Sequence, residues 1–203
     1  MTPPLAAVQS PALIRASTAA TWADFVGLPD DDRRELFDGA LLEVEVPTEL
    51  HEHCVVEIAT ELKLWTRVNG GRVLGSGYKV RITDQRGVMP DVQFYRAGNP
   101  PPPDALTAGA PDLVVEVVSP SSMGADRVKK MEWYRQIGAA AYWIVDPETR
   151  SVQGFELRDA HWILQDQVAL PTPDDDDGRA VLFAPAAFPG LEVNLRLLFA
   201  GPG

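Results

Sequence analysis

Apolar residues recur along this chain at two periods, and the breaks between them mark the elements. From 49 to 69, Leu50, Cys54, Val55, Ile58, Leu62 and Trp65 return at helical spacing, and Asn69-Gly70-Gly71 stops the run. Upstream, Thr21 followed by Asp24 resembles a capping box opening a short helix through Phe25. Arg34 to Phe37, then Asp38-Gly39, then Ala40 to Val46 reads as a hairpin, because Asp-Gly favours a two-residue turn. Val73 to Thr83 and Val88 to Tyr95 read as a second hairpin around 84–87, and the proline-rich stretch 98–111 as a loop. Asp112 to Val118 is almost wholly apolar, as in strands covered on both faces. A helix is expected from Ser119-Pro120-Ser121-Ser122 to about Ile137, ended by Gly138. Strands are expected at 142–145, 152–157 and 162–165, with a terminal strand and helical turn in 191–199.

This order predicts an α/β fold: one mixed (α+β) sheet flanked by helices. The 203 residues suit a flexible leader, 1–20, and a single domain over 21–203. The apolar faces of 152–157 and 162–165 support a homodimer. No apolar stretch reaches membrane-spanning length, and a lone cysteine, Cys54, suits a reducing cytoplasm.

The formal charge of −11 excludes a generic nucleic-acid binder. Binding DNA would need a local basic patch and metal ions. Lys79, Arg81 and Arg86 form one candidate patch; Arg127, Lys129, Lys130 and Arg135 form another. The acidic run 174–177 reads as a solvated turn.

The informative carboxylates are those in apolar company. Asp91 and Glu116 lie in strand-like stretches whose connecting loop lets the two strands run side by side. A buried carboxylate needs a partner, and a hard cation such as Mg²⁺ or Mn²⁺ suits two carboxylates and a backbone carbonyl, that of Val117. The alternative is that Asp91 caps a turn and Glu116 pairs with a lysine or arginine. Hairpin parity pairs Glu35 with Leu42, placing Glu35 with Phe37, Val44 and Val46 on the apolar side, while Glu43 and Glu45 face solvent. Lys130 shares a helix face with Asp126 and Tyr134, either as a surface Asp–Lys pair or with its head at a reacting phosphoryl group. His51 falls on the core side of its helix, as a satisfied boundary histidine or a proton carrier.

Met89-Pro90-Asp91 with Val115-Glu116-Val117 resembles the metal-binding signature of the PD-(D/E)XK nuclease superfamily. Gly109 to Ser121, then Asp126, Lys130, Tyr134 and Ala141 to Pro147, resemble the Uma-type family of restriction endonucleases. Glu35 to Gly39 and His51 match its upstream part, and the likeness runs from about residue 22 to 199. It implies a restriction endonuclease-like fold and a Mg²⁺- or Mn²⁺-dependent endonuclease acting on DNA. Asp91, Glu116 and Lys130 would be catalytic, with Glu35 and His51 as further candidates. Where the superfamily has a lysine two residues after the glutamate, this chain has Val118, and the Uma-type pattern assigns that lysine to Lys130. Two readings compete with the nuclease: a catalytically inactive nucleic-acid- or protein-binding module on the same fold, and a hydrolase of small phosphoesters.

Overall fold

The computed structural model describes residues 19–103, 109–118 and 125–201, excepting the side chains of 125–127. The leader expected over 1–20 lies almost wholly outside the described residues, as does the helix start expected at 119–122.

Helix α1, Trp22–Val26, is opened by the expected capping box: the Thr21 hydroxyl accepts the Asp24 amide, and the Asp24 carboxylate accepts the Thr21 amide at 2.8 Å. Strands β1, Arg34–Phe37, and β2, Ala40–Glu43, pair in the expected register, Phe37 with Ala40 and Glu35 with Leu42. Asp38 and Gly39 both take positive φ, at 50° and 82°, the geometry that matches a two-residue turn to strand twist. The apolar side of β2 is a correction. Leu42, Val44 and Val46 are exposed: β2 is the edge of its sheet, and Val44 and Val46 lie beyond its end.

Helix α2, Glu49–Asn69, buries Cys54, Ile58, Leu62 and Thr66, four residues apart along one stripe. Gly70, with φ at +75°, ends it. Beyond α2 the arms of the expected second hairpin do pair antiparallel, but the hairpin is divided between two sheets. Strand β3, Arg72–Gly75, leaves for one sheet and β4, Val80–Thr83, for another; β5, Arg86–Val88, and β6, Val92–Tyr95, divide likewise. The tight turn joins only β4 to β5, while β3 pairs with β6. Gly75-Ser76-Gly77 and Met89-Pro90-Asp91 supply the breaks. Proline has no amide to donate and cannot continue a ladder.

The expected mixed sheet flanked by helices is present, and a second sheet lies beside it. A six-stranded mixed sheet runs β10-β9-β8-β7-β6-β3 and a four-stranded sheet runs β2-β1-β5-β4. Here β7 is Leu113–Val117, β8 Ala141–Asp146, β9 Ser151–Arg158 and β10 His161–Ala169. The interior position of β7 explains its apolar run. Its parallel partner is β8, reached through helix α3, Ala125–Ile137. A small pair, β11 (Leu182–Phe183) and β12 (Val193–Asn194), and helix α4, Leu195–Leu198, complete the chain.

Two apolar layers sandwich the large sheet. On one face α2 and the C-terminal segment pack Cys54, Ile58 and Leu198 against Val115, Val117 and Trp143. On the other, Trp133 and Tyr134 of α3 and Phe37, Val80 and Val88 of the smaller sheet pack against Val114, Val118 and Tyr142. Alternation along β7 consequently turns Glu116 towards α3 and the smaller sheet.

Candidate metal centre at the junction of two sheets

The chain crosses from the smaller sheet into the larger one between Val88 and Val92, and this crossing builds the site. The ladder of β6 and β7 runs Phe94 with Leu113, Gln93 with Val114 and Val92 with Val115. Asp91 directly precedes β6 and Glu116 directly follows Val115 in β7, so the two residues lie near one end of the ladder. Asp91 also caps that end: its Oδ2 accepts the Val117 amide at 2.7 Å, where Pro90 begins the break.

Glu116 is 12% exposed at its side chain. The Tyr134 hydroxyl donates to its Oε1 at 2.5 Å, and Lys130 Nζ lies 3.6 Å from the same oxygen. Lys130 is closer to Glu35, at 3.0 Å from Oε2 and 3.1 Å from Oε1. Glu35 is itself 3% exposed, and its Oε1 accepts the Met89 amide at 2.7 Å. Lys130 and Tyr134 thus share a face one helical turn apart, as expected, whereas Lys129 is exposed. The Asp126 side chain lies outside the described residues.

Burial pushes the Glu116 carboxyl up to about 7; Lys130 works against this, and Asp91 and Glu35 add to it. For Lys130, burial disfavours the ammonium, but Glu116 and Glu35 outweigh it and the pKa is raised. Lys130 is therefore a fixed cation at neutral pH. His51 Nε2 lies 3.5 Å from Asp91 Oδ2. Burial disfavours its imidazolium, yet Asp91 prevails and the pKa is raised. His51 Nδ1 is buried and has no hydrogen-bond partner among the described residues.

The five side chains singled out from sequence form two groups of contacts, His51 with Asp91 and Lys130 with Glu35 and Glu116, which adjoin where Asp91 accepts the Val117 amide. Among the described residues no group of three or more His, Cys, Asp or Glu side chains is arranged to hold a metal ion. The donors that fit one are fewer: two carboxylates and the Val117 carbonyl, hard oxygens of the kind Mg²⁺ and Mn²⁺ take. The raised Glu116 carboxyl fits as well, since one ammonium serving two buried carboxylates leaves room for further positive charge.

One residue outside the five candidates holds Glu116 in place: Tyr134, visible in the sequence as a face-mate of Lys130 and within the family likeness. Gln93 is fully buried; its Nε2 donates to the Tyr78 carbonyl at 2.6 Å and its Oε1 accepts from Tyr95 at 3.1 Å. Its partners are Tyr78 and Tyr95, not the acidic cluster.

The basic patches are mostly engaged elsewhere. Lys79 donates to the Phe25 carbonyl, Arg81 pairs with Asp84, Arg86 with Asp38 and Arg135 with Glu132. The Arg127 side chain lies outside the described residues. The acidic run folds back on itself and on Arg196, which binds Asp176. No helix among the described residues is long and apolar enough to cross a membrane.

No curated protein matches the chain significantly. Among solved structures, a protein from Anabaena variabilis ATCC 29413, described as a "putative nuclease belonging to DUF820", superposes with a TM-score of 0.66. The two are 18% identical, and the match covers 89% of this chain and 97% of the other. That likeness shows a shared fold, the restriction endonuclease-like one. Residues 22–196 match the family described as "Uma2: Putative restriction endonuclease". With that match spanning most of its length and both sheets, the chain belongs to the Uma2 family.

Proposed function

We propose that this protein is a metal-dependent endonuclease that hydrolyses phosphodiester bonds of DNA. The observation that carries the reading is that Asp91 binds the Val117 amide, next to Glu116, whose carboxylate meets Lys130 and Tyr134. Asp91, Glu116 and the Val117 carbonyl would hold Mg²⁺ or Mn²⁺. Such an ion, when bound, lowers the pKa of a coordinated water and offsets charge on the phosphoryl group.

The chain's own groups divide the remaining tasks. Lys130 is held as an ammonium, so it serves by its charge, orienting a phosphoryl oxygen and stabilising the transition state, and not as a base. The Tyr134 hydroxyl fixes one oxygen of Glu116 and leaves Oε2 to a ligand. Asp91 is held by the Val117 amide, which aligns its carboxylate. His51, beside Asp91, is placed to carry a proton.

Cleavage of plasmid and linear DNA in Mn²⁺ tests this. Activity is expected in wild type, abolished by EDTA, and reduced at least ~100-fold in Asp91→Ala. Equal activity in both proteins removes the assignment.

A specific observation favours a second reading, that of an inactive binding module on the same fold. Lys130 already sits between Glu35 and Glu116, so the ammonium itself partly neutralises the buried carboxylates. Calorimetric titration separates the two: no Mn²⁺ binding at millimolar concentration supports the module. Mn²⁺ binding without DNA cleavage supports a hydrolase of smaller phosphoesters.

A further inference from the structure

Strand parity makes Glu35 a candidate metal ligand, but its bonding points elsewhere. Both of its oxygens lie nearer the Lys130 ammonium, at 3.1 and 3.0 Å, than the Glu116 oxygen does, at 3.6 Å. Oε1 is further committed to the Met89 amide. Glu35 belongs to the smaller sheet and Glu116 to the larger, so the ammonium bridges the two. We propose that Glu35 is a positioning residue: it anchors Lys130 so that Glu116 remains available to a divalent cation. This deepens the metal-dependent reading and rests on it.

The physical reason is competition inside a dry site. A cation entering beside Asp91 and Glu116 competes with Lys130 for Glu116. Leaving Lys130 without a partner would strand a buried charge, which is strongly unfavourable. Glu35 removes that conflict, because the ammonium keeps a carboxylate when Glu116 turns to the metal. Without Glu35 the lysine must stay on Glu116, and the metal meets a blocked ligand. The Met89 bond adds a second effect: it fixes the backbone two residues before Asp91.

Mn²⁺ calorimetry on wild type, Glu35→Gln, Lys130→Met and the double variant tests this. Glutamine retains an acceptor for the Met89 amide, and methionine retains most of the lysine's length. In the wild-type background Glu35→Gln is expected to weaken Mn²⁺ binding ~10-fold, the scale of losses from outer-shell partners. In the Lys130→Met background the same change should alter affinity less than ~2-fold, since there is no ammonium left to anchor. An equal loss in both backgrounds means that Glu35 binds the metal directly and overturns the proposal. No loss in either also overturns it. Comparison of the double variant with Lys130→Met decides between anchor and ligand even where Glu35→Gln alone does not fold. If wild type takes up no Mn²⁺, the metal-dependent reading fails on its own account. Thermal melting in EDTA then still judges the anchor: the two substitutions should be clearly non-additive, and additive shifts in melting temperature refute the pairing.

Discussion

Burial lifts the Glu116 carboxyl to about 7, while the same group in an unfolded chain titrates near ~4.3. Between those values the folded, metal-free protein holds a proton that the unfolded chain has released. Its contribution to stability is therefore complete below ~4.3 and lost as pH rises through about 7. Urea unfolding in EDTA is expected to show this decline in wild type and a flatter profile in Glu116→Gln. At pH 8 the variant should be the more stable by a few kcal/mol, at ~1.4 kcal/mol per unit of displaced pKa. An unaltered decline in the variant would trace the lost stability to another group. Cys54 gives an independent check at the same scale. Burial pushes its thiol up to about 12, and its Sγ donates to the Leu198 carbonyl at 3.2 Å. A disulfide reagent at pH 8 should leave it untouched in the folded protein and label it fully in guanidinium; rapid labelling of the native form would contradict this packing.

Among elements, α1 is secured to the smaller sheet through an absence of side chain. A Cβ on Gly87 of β5 would come within 2.5 Å of Trp22 Cζ3 and 2.8 Å of Phe25 Cδ1, atoms of two packed rings. Gly87→Ala should therefore cost ~1–3 kcal/mol, the range for overpacking, as read by thermal denaturation. Gly77 has nothing within 4 Å of an added Cβ, so Gly77→Ala should change stability by less than ~1 kcal/mol. Similar losses at both glycines would discredit the contact. The elements most readable in the sequence are those governed by local chemistry: the Asp38-Gly39 hairpin with its register, the α2 stripe ended by Gly70, and the Thr21 capping box. The antiparallel pairing of β3 with β6 follows from the hairpin expected over 73–95; what is not readable is that it lies in a different sheet from the β4–β5 pair, a choice made by tertiary packing. A Gly75-Ser76-Gly77 bend and a Pro90 break say that a strand stops, not which sheet receives the next one. The exposure of Leu42 and Val44 is hidden for the same reason, since alternation fixes a face but not whether anything covers it.

At the scale of the whole molecule, −11 charges and preoccupied basic side chains bear on how DNA can be held. Fluorescence anisotropy with duplex DNA should show little binding in EDTA and clear binding with Ca²⁺, which supplies charge without supporting rapid turnover in most Mg²⁺ sites. Raising salt from ~50 to ~200 mM should weaken what binding there is. Tight, metal-independent binding would mean that the surface carries a basic face of its own. The site is legible in the sequence as residue types on buried faces, since Asp91, Glu116 and Glu35 each sit where a carboxylate needs a partner. Hidden from the sequence is the division of Lys130 between two of them, which depends on how α3 spans two sheets. That division has a consequence for synthesis. Glu35 and Lys130 are separated by 95 positions. Glu35 therefore emerges from the ribosome long before its counter-charge, and the two can meet only when α3 docks. A chain stopped short of α3 would hold Glu35, buried or exposed, without the ammonium that pairs with it.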